Sequence, residues 1–202
     1  MKKKIVVAIC GASGVAYGIR LIKALMECPT DVSLVISGAG QQVLAHEAAY
    51  TGEAFETFLT GTGVAKDPEA RLTQYENDDF FAPFASGSSV YDAMVVAPCT
   101  MGTLGAIASG LANNLIHRAA DVCLKEGRPL ILLPRETPLN TIHIENMLKV
   151  ANAGATIIPP CPSFYAHPKT VEEVIDTVVA RVLDHIGINH DLIKRWGSDS
   201  EC

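Results

Sequence analysis

Five short apolar runs rich in β-branched residues, at 4–10, 31–37, 93–97, 130–133 and 155–158, punctuate the chain. They are apolar nearly throughout instead of alternating with polar residues, the pattern of strands covered on both faces in a parallel sheet. Between them apolar positions recur three and four apart, which predicts helices over 15–27, 41–49, 103–110, 115–125, 142–153 and 171–186. Strands and helices alternating in this way predict an α/β fold, an open parallel-sheet three-layer sandwich of Rossmann or flavodoxin-like type. Segment 51–89 breaks the rhythm, with polar, glycine-bearing "LTGTGVAKDPEA" followed by acids mixed with three phenylalanines in "ENDDFFAPFASGSS". It reads as an insertion or an interface. From Asn189 onward the chain reads as a peripheral tail, so the expected organisation is one domain over 1–188 followed by a tail over 189–202.

In such folds ligands sit in the crevice at the carboxyl ends of the strands, which directs attention to "CGASG", "SGAG", "APCTMGT", "PRETP" and "PPCPSFY". In the first loop Gly11, Gly14 and Gly18 are spaced G-x-x-G-x-x-x-G, not the G-x-G-x-x-G of a dinucleotide site. Two readings stand: a tight turn in which Ser13 caps the next helix, or a helix N-terminus offered to an anion. Ser37 after the second strand carries the same ambiguity. Thr100 and Thr103 add hydroxyls at a third junction, where Pro98 is expected to end the strand. Hydroxyls and amides converging from three loops suit a phosphorylated, planar cofactor. FMN fits, since no acid closes the second strand where a dinucleotide's adenosine ribose would bind.

Arg135 and Glu136 follow directly on a buried strand, where charge is costly unless paired or used. They form either a structural ion pair or an anion clamp beside a proton donor or acceptor. Arg118 and Lys125, seven apart, share one helical face, either as a solvated basic surface or as anion ligands. Tyr165 and Arg181 raise the same need for an anion, and a second phosphate would explain the surplus of donors.

Composition narrows the classes. The 202 residues are 49% hydrophobic, enough for one sizeable core. The net charge of −6, with no basic block beyond Lys2 to Lys4, excludes a nucleic-acid footprint. The first apolar run is cut by Gly11, too short for a secretory signal, and no run approaches the roughly 18 residues of a membrane span. A cytoplasmic protein with no membrane partner is therefore expected. Six cysteines (Cys10, Cys28, Cys99, Cys123, Cys161, Cys202) without a C-x-x-C pair point to free thiols, and no ligand spacing calls for a metal.

Taken in order, "GASG", "PCT-x-x-T", "RAADVCLKE-x-RPL", "PRETPL" and "PPCPSFY" span most of the chain, and the set resembles the UbiX-type flavin prenyltransferases. The resemblance implies transfer of a dimethylallyl group from dimethylallyl phosphate to N5 and C6 of reduced FMN, without metal. The prenylated FMN would then serve a UbiD-type decarboxylase. It implies FMN contacts from Gly11, Ala12, Ser13, Ser37, Thr100, Met101, Gly102, Thr103 and Arg135. Prenyl phosphate contacts would come from Tyr165 and Arg181, with Arg118 and Lys125 reaching across a subunit boundary. Ser13 and Glu136 would relay protons, and Trp196 would be either a wall of the site or a tail anchor. A homo-oligomer is implied, with the family's dodecamer as its expected size. The chain departs from the pattern at Thr100 and Gly102, where many relatives carry serine and lysine.

Two other readings bear on the same loops. A flavin-dependent cysteine decarboxylase would carry a histidine before the central strand and a P-x-M-N-x-x-M loop, whereas the chain has "FAPFASGSSVYDA" and "PRETPLNTIHIENM". A carrier subunit that binds FMN without chemistry would have no use for Tyr165 and Arg181 together.

Overall fold

The structure is a computed structural model that describes residues 2–63 and 65–197. Six parallel strands form one sheet: β1 (Lys3–Ile9), β2 (Thr30–Ile36), β3 (Arg71–Tyr75), β4 (Ala93–Cys99), β5 (Leu130–Pro134) and β6 (Thr156–Ile157). Their order across the sheet is β3-β2-β1-β4-β5-β6, the doubly wound order in which the progression of strands across the sheet reverses between β1 and β4. The helices are α1 (Val15–Met26), α2 (Gly38–Ala48), α3 (Phe55–Thr60), α4 (Met101–Ala108), α5 (Leu115–Lys125), α6 (Thr141–Asn152) and α7 (Val171–Ile186).

The continuous apolar runs reflect two cores. Along β1, Ile5, Val7 and Ile9 face one core with Leu21, Ile22 and Leu25 of α1 and Val182 and Leu183 of α7. Val6, Ala8 and Cys10 face the other, with Leu104 of α4 and Ile116 and Ala120 of α5. Every second residue is thus buried on each side, and no position is left for a polar side chain.

Alpha1 crosses the sheet at contact distance. A Cβ on Gly18 would run into the carbonyl oxygen of Ala97 in β4, so the absence of a side chain there sets the helix-to-strand spacing. Between α1 and α7, Arg20 donates to both carboxylate oxygens of Asp176, at 2.6 and 3.2 Å, in a largely buried pair.

Three expectations change. Segment 51–89 contains α3 and edge strand β3, whose RLTQY sequence is mostly exposed and therefore lacks the apolar signature of the inner strands. Pro98 does not end β4, which continues to Cys99 through a register shift against β5. The proline is tolerated because its carbonyl still accepts from Cys10 N–H, at 3.1 Å. The last strand shrinks to Thr156–Ile157. Cys10, Cys28, Cys99, Cys123 and Cys161 are free thiols, while Cys202 lies outside the described residues. Among the described residues no group of acids, histidines and cysteines could hold a metal ion, and no helix is long and apolar enough to cross a membrane.

Candidate active site

The cleft opens at the switch point, where the loops after β1, β4 and β5 meet. Gly11, Ala12 and Ser13 form one side, Thr100 and Met101 the second, and Arg135, Glu136 and Thr137 the third, around about 270 Å³. Both expected proton-relay residues, Ser13 and Glu136, therefore face one space. The expected FMN contacts Gly11, Ala12, Thr100, Met101 and Arg135 line it too.

Arg135 is steered into place by its Nε donating to Ser13 O at 3.1 Å, while its own N–H donates to Cys99 O. This cross-link ties the third loop to the first. Glu136 accepts from Thr137 N–H at 3.0 Å and makes no ion pair with Arg135 among the described residues, while Arg135 lies close enough to Glu47 to stabilise its carboxylate. The main-chain N–H groups of Ala12 and Ser13 meet no acceptor among the described residues. They are open donors at the cleft edge.

Ser13 is not the helix cap that its position suggested. Gly14 occupies the N-cap of α1 in the left-handed region, at φ 97°, with no side-chain cap. The carboxylate of Glu47, from the last turn of α2, accepts from Gly14 N–H at 2.9 Å and Val15 N–H at 3.2 Å. Burial alone would raise the Glu47 carboxyl, but the Ser13 hydroxyl, those two amides and nearby Arg135 outweigh it and hold it below its ordinary range. The end of α1 thus already has its anion, contrary to the expectation that it is offered to a ligand. Glu47 was the residue missed in the sequence. Its only signal there is an acid near a helix C-terminus, where the dipole disfavours it.

Thr100 caps α4, accepting from Thr103 N–H at 3.0 Å, and passes its own proton to Thr103 Oγ1, which donates to Cys10 Sγ at 3.4 Å. Burial pushes the Cys10 and Cys99 thiols up, which keeps both protonated. Ser37 caps α2 through Gly40 N–H at 2.9 Å. Ser37, Gly102 and Thr103 are not among the residues that line the cleft.

The second group of expected residues lies elsewhere in the same chain. Arg118 donates from Nε to Ala85 O at 2.9 Å and pairs with Asp121 at 2.7 Å. Lys125 ends α5 beside its partner Glu126, just before the turn into the amino end of β5. Arg181 is in the second half of α7, whose last carbonyl, Ile186 O, accepts from Lys3 Nζ at the start of β1. Tyr165 meets Trp196 edge-on at 5.4 Å, with Trp196 83% exposed. None of these five side chains lines the cleft.

A flavoprotein family model matches residues 1–183. The flavin prenyltransferase UbiX of Methanocaldococcus jannaschii is 47% identical over 195 residues, 96% of this chain and 99% of that protein. The chain belongs to the UbiX-type flavin prenyltransferase family. Among solved structures, AnUbiX in complex with FMN and dimethylallyl pyrophosphate superposes with a TM-score of 0.88 at 38% identity, covering 98% of this chain and 99% of that one. A dodecameric FMN-dependent UbiX-like decarboxylase from Escherichia coli follows at 0.85 and 40%, covering 96% and 100%. Within this family, then, one chain lines a cleft at the switch point, while its other expected residues lie outside that lining, on α5, on α7 and in the segments flanking α7.

Proposed function

We propose that this chain transfers a dimethylallyl group from dimethylallyl phosphate to N5 and C6 of reduced FMN, releasing phosphate. Membership of the prenyltransferase family supports this reading. The observation that carries it is the convergence of Ser13, Arg135 and Glu136 on one cleft beside open main-chain donors. The chemistry of the lining fits a flavin: amides of Ala12 and Ser13 suit its polar edge, and Met101 and the Thr100 methyl suit its planar face. When bound, reduced FMN supplies the nucleophilic atoms.

The protein's part is to position, to neutralise and to move protons. Leaving phosphate gathers negative charge as its C–O bond breaks, and Arg135 with Tyr165, Arg181, Arg118 and Lys125 stabilises that charge without a metal. Ser13, hydrogen-bonded to Glu47, relays to that carboxylate the proton that N5 gives up. Glu136 supplies one to the departing phosphate. Residues 1–188 serve as the flavin-binding unit, and the product serves a UbiD-type decarboxylase in the cytoplasm.

Because the cationic residues lie away from the cleft of their own chain, the working site is assembled from several copies. Helix α6 supports this: it buries only Val150 and exposes Ile142, Ile144 and Leu148, each more than half accessible. Apolar side chains left exposed in this way are what a homo-oligomer covers, and a dodecamer as in the Escherichia coli relative fits.

Anaerobic incubation with reduced FMN and dimethylallyl phosphate, without added metal, tests the proposal. Mass spectrometry of the released flavin should show a gain of one C5H8 unit. Unchanged flavin from FMN-loaded protein, with the diphosphate tried as well, would overturn it.

A further inference from the structure

Asp184, in the last turn of α7, is the meeting point of three cationic or ionisable side chains. Arg195 donates from Nη2 to Oδ1 at 2.9 Å and from Nη1 to Oδ2 at 3.4 Å. Arg181 Nη1 reaches Oδ2 at 3.3 Å, and His190 Nε2 lies 3.3 Å from Oδ1. The next residue after Arg195 is Trp196, whose ring stands at 89° to that of Tyr165. One carboxylate therefore joins an arginine of the helix to the tail that brings an indole onto Tyr165.

A role in the helix alone does not account for this acid. A carboxylate in the last turn faces the negative end of the helix dipole, an unfavourable place that converging guanidiniums offset. The Arg195 hydrogen bond, against the raising effect of burial and with help from His190, holds the Asp184 carboxyl below its ordinary range. Planar guanidiniums bound to a shared carboxylate are fixed in orientation as well as in place. Arg181 and Tyr165 are both exposed enough to adopt many rotamers without such a grip.

We propose that Asp184 is a positioning residue for the prenyl phosphate subsite: it orients Arg181 and, by holding Arg195, keeps Trp196 against Tyr165. The proposal rests on the reading of Arg181 and Tyr165 as phosphate partners. It assigns Asp184 no contact with substrate. Its effect falls on binding of the prenyl phosphate and not on the flavin, whose cleft lies elsewhere in the chain.

The chain's single tryptophan, Trp196, gives a direct readout. Asp184→Asn keeps the shape and removes the charge. It should lower the fluorescence anisotropy of Trp196 and raise KM for dimethylallyl phosphate about five- to tenfold, the weight of one ordinary hydrogen bond. Affinity for FMN should stay within about twofold, since KM alone carries the lost interaction. Arg195→Gln, a change on the exposed tail that leaves the core intact, should lower the anisotropy in the same way and raise KM. Asp184→Glu should restore part of both. Wild-type anisotropy and KM in Asp184→Asn and Arg195→Gln would overturn the proposal, as would parallel loss of FMN binding and thermal stability. If the wild-type enzyme transfers no prenyl group, it is the phosphate reading that fails, and anisotropy still decides whether Asp184 holds the tail.

Discussion

Around the cleft, position is set by backbone lying on backbone: α1 rests on the Ala97 carbonyl, Arg135 is anchored to Ser13 O and Cys99 O, and each neighbouring helix starts at a fixed cap. On the cationic flanks, along α5 on one face of the sheet and α7 on the other, position is set by long side chains that share acids, as Arg181 and Arg195 share Asp184 and Arg118 leans on Asp121. The first arrangement is rigid in a lone chain. The second is mostly exposed and rests on side-chain rotamers that ion pairs restrain.

The sharpest break in that comparison comes from the cleft itself. Glu136→Gln should lower kcat by about a hundredfold or more, as loss of a proton donor does, with FMN affinity and melting temperature unchanged. Single-turnover mass analysis of the flavin checks it. Next in size is Gly18→Ala, which forces α1 off β4. We expect a loss of about 2–3 kcal/mol in urea unfolding together with weakened FMN binding, because overpacking here displaces the cleft loop.

Arg118→Ala probes the flank. It should raise KM for dimethylallyl phosphate while costing no more than about 0.5 kcal/mol of stability, the scale of an exposed ion pair. A large stability loss would show that the flank is as rigid as the cleft.

The smallest effect belongs to Glu47. Its carboxyl is held below its ordinary value of 4.5, so the stability that it adds is full above that value and fades as pH falls through the lowered folded-state pKa. Since the side chain is exposed, Glu47→Gln should cost no more than about 0.5 kcal/mol at pH 7 and progressively less as the pH falls below the ordinary carboxylate range. Thermal melts of both proteins across that range measure the difference.

The inner strands were legible because burial on both faces writes itself into sequence as unbroken apolar runs, and α5 and α7 because their apolar stripes are strong. Alpha3 and β3 were not, since six residues are too few to show a period and an edge strand keeps its polar face. In the site, the glycines, threonines and the Arg135–Glu136 pair announced their loops by following strands. Glu47 lies 33 residues from the amide that it caps, a pairing that only the sheet order creates. That Tyr165 and Arg181 do not line the cleft of their own chain was equally hidden, because it depends on where the sheet order places the segment after β6 and helix α7.

The Glu47 carboxylate also changes what the head of α1 is. In the doubly wound order, the first helix N-terminus is where a dinucleotide pyrophosphate docks. Here an acid carried by the chain's own second helix fills that position, so the positive end of α1 is neutralised from within, whether or not a nucleotide is present.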